Sequence, residues 1–130
     1  MANYCYTSRT SYFKPIDMEA FKALIRKRLY SDIEIWERSD GAVAFGGHDV
    51  SIFDYYNQET EDHHEIIPEL QALLPEGEVI AMFEVGFEKL RYVTGIVCMV
   101  TRDKVKWFNL DDWAKEKALE LVGKDIDTFC

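Results

Sequence analysis

From Ser39 to Glu88 the chain carries no lysine and no arginine, although 30% of its residues are charged. Fifty residues without a cation exclude a phosphate-gripping surface in that stretch. Cysteine is scarce: Cys5, Cys98 and Cys130 stand far apart, with no CxxC pair. That spacing argues against a disulfide scaffold and for a reducing compartment. Seven Gly and three Pro are too few for a collagen-like or low-complexity chain. No apolar run approaches the roughly 20 residues that cross a bilayer. The start, Met1 to Tyr6, has neither the basic opening nor the apolar stretch of a signal peptide. There is no GxGxxG, no Walker lysine and no GxSxG elbow. The expectation is a soluble, cytoplasmic protein.

What is present is material for a core. The 130 residues are 48% hydrophobic and include eight Phe, seven Tyr and three Trp, enough for one domain over residues 1–130. Charge is distributed unevenly. Residues 1–38 carry +2, residues 39–88 carry −12 and residues 89–130 carry +1, for a formal net charge of −9. Two readings of the acidic stretch stay open. It is either a solvated region that aids solubility, or a docking face for a basic partner that imitates nucleic-acid phosphates.

The pattern predicts nine elements. Tyr4 to Phe13 alternates as a first strand, ended by Pro15. Asp17 reads as an N-cap, with Ile16 and Phe21 placed as a hydrophobic staple, for a helix to Leu29. Its other face carries Lys22, Arg26, Lys27 and Arg28, read as a solvated face or an internal partner of the acids. Ile33–Glu37 and Ala42–Phe45 form a hairpin around Ser39-Asp40-Gly41. Val50–Thr60 reads as an irregular aromatic connection, and Glu61–Glu65 as the approach to a short helix with Pro68 in its first turn. Val79–Phe87, Leu90–Thr101 and Lys104–Phe108 form a meander, and Asn109 caps a last helix stopped by Gly123. The order β-α-β-β-α-β-β-β-α implies an α+β fold, an antiparallel sheet with helices on one face. It also fits a ferredoxin-like sandwich if Ala42–Phe45 pairs centrally.

Chemistry is thinly represented. His48, His63 and His64 are the only histidines, and one of the adjacent pair could join His48 and a carboxylate such as Asp54 in a mixed metal site. Adjacent histidines diverge on either a strand or a helix, so no metal and no cofactor are expected. Cys5 and Cys98 fall in predicted strands as small core residues. Tyr4, Tyr6, Tyr12 and Phe13 could stack RNA bases, but the net charge opposes that mode.

The opening Met1-Ala2-Asn3-Tyr4-Cys5-Tyr6-Thr7, the Phe13–Phe21 segment and Phe87-Glu88-Lys89-Leu90-Arg91-Tyr92-Val93-Thr94-Gly95 resemble small acidic proteins of phages, plasmids and conjugative elements. The resemblance covers about half the chain and carries no catalytic motif. It implies the company of anti-CRISPR and antirestriction proteins, which block nuclease complexes stoichiometrically in the bacterial cytoplasm. The expected function is a non-enzymatic inhibitor that places an acidic face on the basic surface of a nucleic-acid-binding effector such as a CRISPR complex. The residues expected to meet that partner are Asp49, Asp54, Glu59, Glu61, Asp62 and Glu65, with Tyr55 and Tyr56 as aromatic anchors. Two alternatives remain: a small metal-dependent enzyme or nuclease, and an accessory module that dimerises through its sheet or its aromatic connection.

Overall fold

Hydrophobic residues at every second position of two ten-residue strands set the architecture. The computed structural model describes residues 5–89 and 92–127. Along the chain run β1 (Cys5–Thr10), α1 (Met18–Arg28), β2 (Glu34–Glu37), β3 (Val43–His48), β4 (Asp54–Asn57), β5 (Asp62–Glu65), α2 (Ile67–Gln71), β6 (Val79–Glu88), β7 (Tyr92–Thr101), β8 (Val105–Asn109) and α3 (Leu110–Val122). Six strands form one antiparallel sheet in the order β2-β3-β1-β6-β7-β8, and β4 and β5 form a separate hairpin. The fold is α+β with the expected order of elements, and β3 pairs centrally, against both β1 and β2. The spatial order β2-β3-β1-β6 is the ferredoxin-like arrangement, which β7 and β8 extend on one side. Tyr4, Leu90 and Cys130 lie outside the described residues, and with them the expected start of the first strand and of the Leu90–Thr101 strand.

Side chains alternate across the sheet, so each strand contributes to two faces. On the inner face Val43, Phe45, Ile80, Met82, Cys98 and Val100 are buried under α1, α2 and the hairpin. Phe13, Phe21 and Phe45 meet there, with edge or tilted contacts at centroid distances of 5.3 to 6.4 Å. Ser8 and Thr10 are small enough to let this layer close over β1, and the Thr10 hydroxyl accepts the Phe45 N–H at 3.2 Å. Gly46 sits where the backbones of β3 and β1 approach: a Cβ there would fall 2.3 Å from the Ser8 carbonyl oxygen.

Local signals behave as their chemistry dictates. The Asp17 carboxylate accepts the Ala20 N–H at 3.1 Å, and Asn109 accepts the Asp112 N–H at 2.8 Å. Gly123 ends α3 in the left-handed conformation, φ 66°. Three expectations change. Ile16 does not staple onto Phe21; it stays 60% exposed while its N–H donates to the Leu73 carbonyl at 2.8 Å. Cys5 lies in β1 but points to the outer face and is exposed, whereas Cys98 is in the core. The Val50–Thr60 connection and the following acidic residues contain the β4–β5 hairpin, because Asn57 accepts the N–H of Glu59 at 2.9 Å and of Thr60 at 3.4 Å and so bends the chain back. Among the described residues no helix is long and apolar enough to cross a membrane.

Removing the Phe45 ring strips both aromatic contacts from β3. Phe45→Ala should cost about 3–5 kcal/mol, the range for a fully buried Phe, read as the shift of the urea unfolding midpoint at unchanged slope. A loss below about 1 kcal/mol would show that this ring does not hold α1 to the sheet.

Candidate functional site

The β4–β5 hairpin collects most of the acidic residues singled out in the sequence. Its register pairs Asp54 with Glu65, Tyr55 with His64, Tyr56 with His63 and Asn57 with Asp62. Period-2 alternation therefore gives the hairpin two faces. Tyr55 and His64 stack on the side turned to the protein, with centroids 5.9 Å apart. Asp54, Tyr56, His63 and Glu65 share the opposite side, and Tyr56 meets the His63 ring edge-on at 5.3 Å. Asp54 and Glu65 thus face each other directly across the ladder, an arrangement that like charges oppose.

Tyr55 is what fixes the hairpin in place. Its ring is only 9% exposed, lies 4.5 Å under the Arg28 guanidinium, and its hydroxyl donates to Glu69 at 2.7 Å. That hydrogen bond, reinforced by burial, pushes the phenol above its ordinary pKa. Arg28 also pairs with Glu69 at 3.3 Å, so the end of the basic cluster on α1 does meet an acid of the cation-free stretch. Lys22 pairs instead with Glu37 on β2 at 2.9 Å. Tyr55 is therefore a packing residue and not a presented anchor. Tyr56, 52% exposed, is the ring that faces solvent. Together Tyr55, Tyr56, Asn57 and Glu59 line a groove of about 420 Å³ beside Lys27 and Arg28.

The carboxylates divide by partner. Asp40 is held by Arg38 at 2.7 Å, which with the Ala42 N–H brings it down to about 2. Asp49 is set apart from the hairpin: at φ 54° it closes the end of the β1–β3 ladder, where its carboxylate accepts the Tyr6 N–H at 3.0 Å. That contact places Asp49 at the sheet edge rather than on the hairpin. Asp54 accepts the Ser51 hydroxyl at 2.9 Å. Among the described residues, Asp54, Glu59, Glu61, Asp62 and Glu65 have no ion-pair partner. Glu61 holds φ 53° at the end of the turn, a conformation that Gly or Asn adopts more cheaply.

Sequence reasoning missed one acid. Glu84, on the inner face of β6 opposite Ser8, is pushed above its ordinary pKa by burial and further by the Asp54 charge, against a weak hydrogen bond from the Ser8 hydroxyl at 3.5 Å. Its position in an alternating strand marked it as inward-facing, the one signal that could have found it.

The histidines do not converge. His63 and His64 point to opposite hairpin faces, and His48 shares a hydrogen bond with Thr7 at 2.9 Å on β1. Among the described residues no three His, Cys, Asp or Glu side chains gather into a metal-binding group. Cys98 is raised to about 11 by burial and by the nearby Glu65 charge, which suppresses its thiolate. Of the aromatics near the first strand, Phe13 is in the core and Tyr12 lies under the Arg9 and Arg38 guanidinium groups.

Two outcomes follow from this geometry. Tyr56→Ala should leave the thermal melt unchanged, whereas Tyr55→Ala should lower stability by about 3 kcal/mol, as for other buried aromatics. A lowered melt for Tyr56→Ala with an unchanged one for Tyr55→Ala would mean that the faces of the hairpin are reversed. For Glu84 the sign runs through its raised pKa: an acid that burial makes harder to ionise destabilises the fold once pH rises above its ordinary value, 4.5. Glu84→Gln should therefore melt above wild type at pH 7, with the gap closing as pH falls below 4.5, where Glu84 is neutral in both folded and unfolded chains. A gap independent of pH would remove Glu84 from the electrostatics of the site.

No protein-family model, no curated protein and no solved structure matches this chain, so the geometry of the hairpin carries the functional reading.

Proposed function

We propose that this chain is a non-enzymatic inhibitor that lays its acidic hairpin on the basic, nucleic-acid-binding surface of a bacterial defence effector. An anti-CRISPR role is the instance suggested by the resemblance to proteins of phages and mobile elements. The observation that carries the reading is a set of five carboxylates, Asp54, Glu59, Glu61, Asp62 and Glu65, with no ion-pair partner among the described residues, on a hairpin pinned to the core by Tyr55. The Asp54–Glu65 pair sets like charge against like across one ladder, and Glu61 occupies a left-handed turn position. Both cost stability in the free protein, and a cationic partner offsets the first of them.

The placement suits the purpose. Asp54 and Glu65 lie on the same side of the hairpin as Tyr56, while Glu59 and Glu61 lie at its turn. The side and the tip together can thus meet lysines and arginines placed to hold a phosphate backbone. Tyr56 supplies an amphipathic ring beside these charges, able to lie on an arginine plane and donate through its hydroxyl. The hairpin occupies the surface that nucleic acid needs, so inhibition requires no catalytic group, no cofactor and no contact of the chain with nucleic acid.

Rim charges act mainly on association rate and salt sensitivity, each worth under about 1 kcal/mol. Single alanines should change little, whereas Glu59→Lys, Glu61→Lys and Asp62→Lys together should weaken binding at least about tenfold, the effect of 1.4 kcal/mol, with an unchanged melt. The measurement is a titration of the protein into DNA-binding and cleavage reactions of purified CRISPR effector complexes and restriction enzymes. Stoichiometric loss of DNA binding by one effector, relieved by the triple reversal, supports the reading. Full DNA binding by every effector, or an inhibition that the reversal leaves intact, overturns it.

A further inference from the structure

The outer face of the sheet carries a row of exposed apolar side chains. Outward positions of β6 are Val79, Ala81, Phe83, Val85 and Phe87, and the register places Thr101, Met99, Val97, Gly95 and Val93 of β7 opposite them. None of these ten positions carries a charge. Exposure is 38% at Phe83, 57% at Val85, 52% at Phe87, 53% at Val93, 39% at Met99 and 43% at Phe108 on the neighbouring β8. Leu110 extends the patch: its Cδ1 fills the space above Gly95, where a Cβ would fall 2.4 Å away. A contiguous apolar surface of this kind on one side of a sheet marks an interaction site.

We propose that this face binds a second copy of the chain, sheet on sheet, in an isologous two-fold dimer. The ten residues of β6 and of β7, with the six of β1 and the five of β8 beside them, at about 3.3 Å per residue and 4.8 Å between strands, give a face of roughly 500 Å². Two such faces bury about 1,000 Å² in all, the area that a specific interface has to clear.

At −9 net, two copies repel one another over most orientations. The acidic hairpin covers the inner face, packing through Tyr55 into the core, so the outer face of β6 and β7 is turned away from its carboxylates. Face-to-face approach keeps those charges farthest apart. Phe83 and Val97 are paired at the middle of their strands, so an axis through this pair sets the two copies' Phe83 rings together and matches apolar surface with apolar surface. Arg9 on β1, the cross-strand partner of Phe83, holds its guanidinium over the Trp36 and Tyr12 rings at 5.0 and 5.9 Å, and Lys106 on β8 lies beside Met99. Such a dimer presents two acidic hairpins on opposite sides, and it stands or falls independently of what those hairpins bind.

The test is light scattering coupled to size exclusion on the whole chain, from about 100 µM downward, a range that populates dimers of micromolar affinity. Wild type should elute at twice the 15.2 kDa chain mass. Phe83→Lys should weaken the dimer about 30-fold or more, the effect of losing a central anchor, with an unchanged circular dichroism spectrum because the residue is exposed. A second variant guards against misfolding: in a chain with Cys5 and Cys130 replaced by Ser, Phe83→Cys should be joined between copies by a short bis-maleimide that spans the ~10 Å between packed sheets, while Tyr56→Cys should not. The charge-reversed hairpin variant should remain dimeric. A monomeric wild type overturns the proposal, even if the same face then binds lipid vesicles or single-stranded RNA. So does a dimer that survives Phe83→Lys or crosslinks through Tyr56→Cys in place of Phe83→Cys.

Discussion

Where α1 crosses β3, the rings of Phe13, Phe21 and Phe45 close on one another at 5.3 to 6.4 Å, and each is at most 2% exposed. That contact decides which side of the sheet becomes the interior. Once Phe45 points under the helix, alternation sends Val43 with it, and pairing through β1 carries the same side on to Met82, Cys98 and their neighbours. A one-residue slip in any ladder would exchange the two sides of that strand. The buried hydroxyl of Thr10, bound to the Phe45 N–H, and the close approach at Gly46 hold the β1–β3 register against such a slip.

The hairpin depends on that interior. A two-stranded ribbon is marginal alone, and this one sets Asp54 against Glu65. What keeps it folded is Tyr55, seated between Arg28 of α1 and Glu69 of α2, with Phe53 just before it against Trp107 at 5.3 Å. The hairpin's acids are therefore displayed on a positioned element. Preorganisation of this kind removes the ordering cost that a flexible acidic loop would bear on binding. Glu84 marks where charge and burial meet beneath the hairpin, and its raised pKa reports both.

Sequence patterns reached the elements whose signals are local. The Asp17 and Asn109 caps, the Gly123 stop and the meander of the last three strands all follow from residues within a few positions of one another. The acidic stretch was legible by counting alone. The β4–β5 strands were not, because Asp54–Asn57 and Asp62–Glu65 are four residues each and mostly polar, which mimics a loop. The two tyrosines show the limit. Alternation required that adjacent rings part, but which one turned inward depended on Arg28 and Glu69, 27 and 14 residues away in the chain.

By itself the sequence determined composition, charge segregation and periodicity, hence an α+β chain with an acidic middle and two strongly apolar strands. The tertiary structure decided the rest. It placed Asp49 off the hairpin and Tyr55 in a packing role, left Tyr56 and five carboxylates facing solvent, and uncovered an apolar sheet face that periodicity alone reads as more core. The reason is physical. Local sequence fixes which residues share a face, while burial of that face depends on how much helix the rest of the chain can lay over it. Here α1, α2 and the hairpin cover the inner side, whereas α3 leaves β8 at its edge and buries none of its own residues.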